Sequence, residues 1–236
     1  MKRSRTLVRG AIAAALLVMA AGFIALGIWQ IERRAWKHAL IAAVDARVHR
    51  TPAPPPEPAQ WPQVNASRNA YRHVRVTGRY RPDGETRVRA VSDLGAGYWV
   101  MTPLETRNFT VFVNRGFVAQ GARALPAPAG MVTVTGLLRI TEPGGGFLRS
   151  NVPASGNWYS RDVAAIAQAQ RLSNVAPYFI DAEARTDGDY PVGGLTVIHF
   201  PDNHMAYALT WFALALMSLG GAWKIAVTRG RHLHHK

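Results

Sequence analysis

Two long apolar runs stand out in the pattern of hydrophobic and polar positions along the chain. Residues Gly10 to Ile31 carry no charge over 22 positions, and His204 to Trp223 form a similar run of 20 positions. In an α-helix the first run is about 33 Å long, which is enough to cross a hydrocarbon core of about 30 Å. The pattern therefore predicts two transmembrane helices, over residues 10–31 and 203–223.

The region after the first run keeps a helical spacing and then breaks it. Apolar residues recur at every fourth position from Trp36 to Val48, which predicts a juxtamembrane helix over residues 32–50. Residues 51–62 follow and contain six prolines. Because proline cannot continue a helix, this segment predicts a stiff linker.

Residues 63–202 contain short segments that alternate apolar and polar side chains, which is the pattern of half-buried strands. The turn sequence Arg81–Gly84 predicts a hairpin between the first two strands, and Ser160 is a candidate N-cap for one short amphipathic helix. The fold class predicted is a membrane protein in which two transmembrane α-helices flank one extracytoplasmic, β-rich α+β domain, an antiparallel barrel or sandwich. The candidate strands are Tyr71–Thr77, Thr86–Val91, Tyr98–Leu104, Phe109–Asn114, Met131–Ile140, Tyr178–Asp181 and Leu195–Phe200.

The distribution of charge predicts how the helices are oriented. The chain has 28 Lys and Arg against 14 Asp and Glu, and it carries short basic segments at residues 1–9 and 224–236. Because positively charged flanks stay in the cytoplasm, we expect both termini there and the 63–202 domain in the periplasm of a bacterial inner membrane. Cations on terminal segments are unlike the basic face of a folded nucleic-acid-binding domain, so we expect membrane lipid and no nucleic acid as a partner.

A cleaved signal peptide is the alternative interpretation of the first run. That interpretation is disfavoured because the run is longer than a usual signal-peptide core. It also continues into Trp29 and Gln30 rather than into a small-residue cleavage site.

The usual catalytic and metal-binding motifs are missing from the sequence. The absence of cysteine excludes thiolate metal sites and covalent haem attachment. There is no GxSxG, HExxH or P-loop pattern, so we expect no enzymatic activity. Two weaker clusters favour a solvated loop and a basic tail over metal sites. They are Asp181, Glu183, Asp187 and Asp189, and His232, His234 and His235.

The outer end of the second apolar run carries the most informative side chains. His204, Tyr207 and Trp211 fall on one stripe of a helix, within about 60° of each other. A neutral imidazole is a ligand of haem iron, which makes His204 a candidate axial ligand. The alternative is an interfacial histidine that only hydrogen-bonds to headgroups or to the neighbouring helix.

The first apolar run ends in a similar stripe formed by Trp29, Arg33 and Trp36. A guanidinium group beside aromatic rings could hold an anionic propionate and flank a flat macrocycle. The alternative is an aromatic belt with arginine side chains that extend towards the membrane surface.

Taken together, several segments resemble the Surfeit locus protein family of cytochrome c oxidase assembly factors. The likeness runs from about Leu26 to Trp211, and the segments occur in the family's order between two apolar helices. They are Leu26–Arg33 with Lys37, Gly97–Leu104, Val111–Phe117, Asn157–Asp162, Pro177–Asp181 and Asn203–Trp211.

The resemblance implies an assembly factor for an oxidase that contains haem a. It implies haem a as a transient cofactor, bound through the histidine of the second span, which corresponds to His204, and no other metal. The partners implied are cytochrome c oxidase subunit I, which would receive the haem, and haem a synthase. The short arm before the first span favours a bacterial member of the family.

Two alternative functions remain open from the sequence. The first is a scaffold without a cofactor that stabilises an early oxidase assembly intermediate through the β-rich domain. The second is an extracytoplasmic sensor or transporter accessory module, which is disfavoured because the sequence outside the two runs offers no cytoplasmic output domain.

Overall fold

The computed structural model describes residues 2–146, 148–184, 191–196 and 202–231. The chain divides into two units, one formed by residues 1–42 with 199–236 and one by residues 43–198. The helices are α1 (Lys2–Val48), α2 (Ala66–Asn69), α3 (Val163–Ala169) and α4 (His204–Arg231). The strands are β1 (His73–Tyr80), β2 (Thr86–Ser92), β3 (Gly95–Glu105), β4 (Thr110–Ala119), β5 (Met131–Ile140) and β6 (Val175–Ala182).

The first unit consists of α1 as far as Ala42 together with α4, and both helices are long and apolar enough to cross a membrane. Their less exposed positions are spaced alternately by four and three residues, a repeat of 3.5 that is typical of left-handed coiled-coil packing. On α1 these positions are Leu16, Ala20, Phe23, Gly27, Gln30 and Arg34, and on α4 they are His204, Ala208, Trp211, Ala215, Ser218 and Ala222.

Small residues allow the two helices to approach each other closely. Ala20, Ala208 and Ala215 are almost completely buried. A Cβ atom added at Gly27 would lie 2.6 Å from the ring of Phe212, so a larger residue here would require that ring to move. The space between α1 and α4 is therefore filled at this level.

The second unit is a closed β-barrel. The strand order is β1-β5-β6-β4-β3-β2, and an additional short pairing of β1 with β3 joins Arg79 to Glu105 and Tyr80 to Leu104. This pairing closes a ring of five strands and leaves β2 as an extension beside β3. The pairings are antiparallel except that of β4 with β6, which is parallel.

The buried side chains of the barrel unit form two groups on the faces of the sheet. One group includes Val74, Leu104 and Tyr178. The other includes Phe112 and Phe179 together with buried residues of α3. Because β4 and β6 contribute to both groups, they lie at the centre of the unit and carry few polar side chains.

The fold class predicted from the sequence is confirmed: two apolar helices flank a β-rich domain that forms a barrel. The hairpin predicted at Arg81–Gly84 is wrong. Among the pairings of the described strands, β1 pairs with β5 and β3, and β2 pairs with β3. Residues Pro82–Gly84 form a 3₁₀ turn that carries the chain from one neighbour of β3 to the other.

Two further local predictions need correction. The N-cap of α3 is Asp162, whose carboxylate accepts the Ala165 N–H at 3.1 Å, and not Ser160. The Ser160 hydroxyl instead accepts the Gly145 N–H at 3.0 Å. Of the candidate strand Leu195–Phe200, the first two residues lie outside any strand, and residues 197–200 lie outside the described part of the chain.

Candidate functional site at the start of helix α4

His204 is the first residue of α4 and is fixed at both its backbone and its ring. Its backbone N–H donates to Asp202 Oδ1 at 3.1 Å. Its ring Nδ1 lies 2.8 Å from Gln30 Oε1 on α1. The side chain is half-buried, so the sequence-predicted ligand lies at the contact between the two helices.

The partner of Nδ1 determines which ring nitrogen carries a proton. The oxygen of a primary amide can only accept a hydrogen bond, so Nδ1 is the protonated nitrogen when it bonds to Gln30. In the neutral ring, Nε2 then keeps its lone pair. Within the described residues, Nε2 makes no hydrogen bond, so this nitrogen is available to a ligand or a metal.

Asp202 connects the start of α4 to the side chains of His38 and Arg34 on α1. Its Oδ2 lies 2.7 Å from His38 Nε2 and 3.3 Å from Arg34 Nε. The bond to His38, the His204 N–H and the bond to Arg34 together lower the pKa of Asp202 to about 2. This carboxylate therefore stays ionised and holds the chain two residues before α4 against α1.

Three of the five predicted site residues lie on one flank of the helix pair. Gln30 contacts His204 and Phe23 contacts Trp211, so residue numbers decrease along α1 where they increase along α4. The two helices are therefore antiparallel. Arg33 and Tyr207 each directly precede a packed position of the repeat, and in an antiparallel pair such positions face the same side.

Trp29 lies one turn before Arg33 along α1 and shares its flank. The residues Trp29 and Tyr207 are 54% and 56% exposed. The Arg33 guanidinium stacks over the ring of Trp36 at 4.1 Å from its centre. The outcome is an exposed aromatic and cationic flank beside His204.

Trp211 has a different environment from the other predicted site residues. Its ring stacks on Phe23 of α1, with a distance of 5.7 Å between ring centres and an angle of 23° between planes. It lies on the side of α4 that contacts α1 and is half-buried there. Trp211 therefore helps to pack the two helices below His204.

Sequence reasoning did not assign a role to Gln30 or His38. Both side chains become informative only when the pairing of α1 with α4 is known, because their partners are more than 160 residues away in sequence. The one available signal is that Gln30 is a polar residue at a packed position of the helix repeat.

A second cluster of polar side chains surrounds Asp181 in the barrel unit. The Asp181 carboxylate, 5% exposed as a residue, accepts from Asn114 Nδ2 at 2.8 Å, Arg139 Nη1 at 2.8 Å and Thr196 Oγ1 at 2.9 Å. Arg161 Nη1 lies 3.3 Å away. Asp181 is therefore part of a neutralised network rather than of the solvated loop predicted from sequence, while Asp187 and Asp189 lie outside the described residues.

Glu142 completes this network by pairing with Arg161, whose Nε donates to its Oε2 at 3.1 Å. Burial alone would raise the pKa of Glu142, but the hydrogen bonds and the charge of Arg161 outweigh burial and lower it. Burial likewise opposes the charged form of Arg161, and its carboxylate partners raise its pKa above the ordinary value. The two arginines of the cluster balance the charge of its two carboxylates, which is typical of a structural centre.

The chain is similar to one known protein family over most of its length. A model of the SURF1 family matches residues 17–216. Surfeit locus protein 1 of Mus musculus is 33% identical over 223 residues, which cover 84% of this chain and 70% of that protein. The Homo sapiens protein of the same name is 32% identical over 225 residues, covering 85% and 72%. A SURF1-like protein of Monosiga brevicollis is 32% identical over 215 residues, covering 82% and 79%.

Proposed function

This chain belongs to the SURF1 family, and from that premise we propose that it binds haem a and aids its insertion into subunit I of cytochrome c oxidase. Membership of the family supports a role in cytochrome c oxidase assembly. The matched residues include Gln30 on α1 and His204 on α4, so the proposed site lies within the family's common region.

The hydrogen bond between His204 Nδ1 and Gln30 Oε1 is the observation that carries the proposal. Haem iron takes a neutral imidazole as an axial ligand, and such ligands usually donate their second ring N–H to an acceptor. The His204 side chain meets both demands, because Gln30 holds the N–H and Nε2 keeps its lone pair. The residues present therefore fit haem.

The filled contact between α1 and α4 limits where a macrocycle could bind. The ring of Phe212 packs against Gly27, and Trp211 stacks on Phe23, so the space between the helices is occupied. The exposed flank with Trp29, Arg33 and Tyr207 is the surface that remains beside His204. On this flank the aromatic side chains would cover apolar parts of the macrocycle, and Arg33 would pair with a propionate.

In this proposal the chain acts as a chaperone rather than as a catalyst. Bound iron supplies the absorption spectrum and the affinity for an axial nitrogen, while the protein supplies His204, its acceptor Gln30 and the flanking surface. The proposed location is the bacterial inner membrane, with both termini in the cytoplasm and the barrel unit in the periplasm. Haem a synthase is the proposed source of the haem.

Purification from cells that make haem a, followed by visible spectroscopy, tests the proposal. We expect the wild-type protein to contain haem, and we expect His204→Ala to lose it while the protein stays inserted and abundant. His49→Ala is the matched control, because this histidine side chain is 74% exposed and pairs with Asp45, four residues earlier in the chain. A haem-free wild-type preparation would favour the cofactor-free scaffold instead.

A further inference from the structure

A large basic pocket lies within the unit formed by residues 43–198. It has a volume of about 470 Å³ and is bounded by the end of α1, the proline-rich segment, α2 and the start of β1. Its lining includes the arginines Arg47, Arg50, Arg68 and Arg72 together with His73, and no acidic residue is among the described residues that line it.

Among the described residues, three of the arginine side chains have no counter-ion. The side chains of Arg50, Arg68 and Arg72 make no hydrogen bond or ion pair with the described part of the chain, although Arg72 is half-buried. The Arg47 Nη1 atom donates to the Ala70 carbonyl at 3.0 Å, which fixes this guanidinium at the pocket wall. Like charges that share a wall repel each other, and an anion between them removes that repulsion.

Two amide side chains in the wall present donors rather than acceptors. Asn69 is 8% exposed, and its Oδ1 accepts the Asn65 N–H at 3.1 Å. Likewise Gln60 Oε1 accepts the Glu57 N–H at 3.1 Å. Because both oxygens are used by backbone donors, the amide groups have their NH₂ donors left for the pocket.

Of two nearby carboxylates, that of Glu57 bonds outside the pocket lining and that of Glu183 bonds to the lining residue His73. Glu57 Oε2 accepts from Asn108 Nδ2 at 3.1 Å. Glu183 Oε1 lies 2.6 Å from His73 Nε2, while His73 Nδ1 faces the Arg50 carbonyl at 2.8 Å. The lining is therefore rich in hydrogen-bond donors and positive charge, and the described carboxylates do not neutralise its arginine side chains.

We infer that this pocket binds a phosphate-bearing anion. Guanidinium groups bind phosphate oxygens through paired hydrogen bonds, and the amide donors of Asn69 and Gln60 complete such a site. The volume exceeds that of a single phosphate group and accommodates a diphosphate or a phospholipid headgroup. Both sources share the same chemistry, and neither depends on haem binding at His204.

Calorimetric titration of the full-length protein in neutral detergent tests the site, with inorganic pyrophosphate as the probe. We expect saturable binding with one site per chain. Arg72→Gln and Arg68→Gln should each weaken it about tenfold or more, the effect of losing one charge-assisted hydrogen bond. Arg50→Gln changes an exposed side chain that has no partner in the described part of the chain, so it tests the same prediction with little risk to folding.

Arg79→Gln is the matched control, because it removes one positive charge at the other end of β1, about 20 Å from His73 by strand length. Unchanged affinity in the Arg72, Arg68 and Arg50 variants, or equal weakening by Arg79→Gln, would overturn the proposal.

A water-soluble, short-chain phosphatidylglycerol is the second probe. Tighter binding of this lipid than of pyrophosphate assigns the pocket to a headgroup, and the reverse order assigns it to a free phosphate compound. Failure of both probes to bind would also overturn the proposal.

Discussion

The Gln30 amide oxygen on α1 lies 2.8 Å from Nδ1 of His204, the first residue of α4. This contact joins side chains that are 174 residues apart in sequence. It fixes the imidazole in the tautomer whose Nε2 has a free lone pair, and it does so without placing a negative charge beside the ring. Gln30 is therefore expected to set both the orientation and the basicity of the proposed ligand.

Gln30→Leu should weaken haem binding by about 10- to 100-fold, the usual effect of removing the hydrogen-bond partner of a metal-binding histidine. The physical reason is that Nδ1–H loses its acceptor and the ring is free to rotate. Haem titration with visible spectroscopy measures the affinity and the axial-ligand bands. Gln168→Leu is the control for the same chemical change, because Gln168 is exposed on α3. Unchanged affinity in Gln30→Leu would contradict a positioning role.

The lowered pKa of Asp202 predicts that the protein loses stability at acid pH. Its pKa is lowered from 3.8 to about 2 by His38, the His204 N–H and Arg34. Since the pKa is lower in the folded state, the carboxylate stabilises the fold fully above about pH 4. That contribution is lost as the pH falls from about 4 towards 2.

Asp202→Asn should therefore lower the melting temperature of the full-length protein in detergent at pH 5 to 7. The difference from the wild type should disappear as the pH approaches about 2. Asp45→Asn is the control, because its side chain is 69% exposed and its loss changes the net charge equally. A difference between Asp202→Asn and the wild type that stays constant down to pH 2 would rule out this linkage.

Local pattern was sufficient to predict most individual elements of the fold. The strand predicted at Met131–Ile140 has the observed bounds, and the strand predicted from Thr86 begins at that residue. Alternation of apolar and polar side chains reports the burial of each strand on one face. It does not report which strand lies beside which.

The pairing of strands could not be predicted because it depends on contacts distant in sequence. A proline and glycine turn at Arg81–Gly84 is typical of a hairpin, yet in the closed barrel β1 and β2 pair with successive parts of β3 and not with each other. The parallel pairing of β4 with β6 and the network at Asp181 arise in the same way. Similarly, His204 was recognisable from its own helix, whereas Gln30 required knowledge of how α1 and α4 pack.

The orientation of the helices is predicted from charge alone and needs its own test. A reporter enzyme that is active only outside the cytoplasm should be active when fused near Pro56 and silent when fused after Lys236. The reason is that the basic segments 1–9 and 224–236 should stay on the cytoplasmic side. A reporter active only inside the cytoplasm, fused at the same two positions, is the control and should give the opposite result. Activity of the first reporter at the C-terminus would contradict the prediction.

Among the charged residues of the barrel unit, we expect substitution of Asp181 to lower the unfolding free energy most. It is buried and accepts hydrogen bonds from Arg139, Arg161, Asn114 and Thr196. Asp181→Ala would leave two largely buried guanidinium groups with one carboxylate, Glu142, between them. Breaking a buried ion pair in this way usually costs about 3–5 kcal/mol of unfolding free energy.

Denaturant unfolding of the full-length protein, followed by the β-sheet signal in circular dichroism, measures this cost. Asp93→Ala is the control, because Asp93 is exposed at the turn between β2 and β3 and should change the unfolding free energy by no more than about 0.5 kcal/mol. Asp181→Asn keeps the shape and one acceptor oxygen but removes the charge, so its cost should fall between those of the other two variants. Equal stability of Asp181→Ala and Asp93→Ala would show that the network does not hold the barrel together.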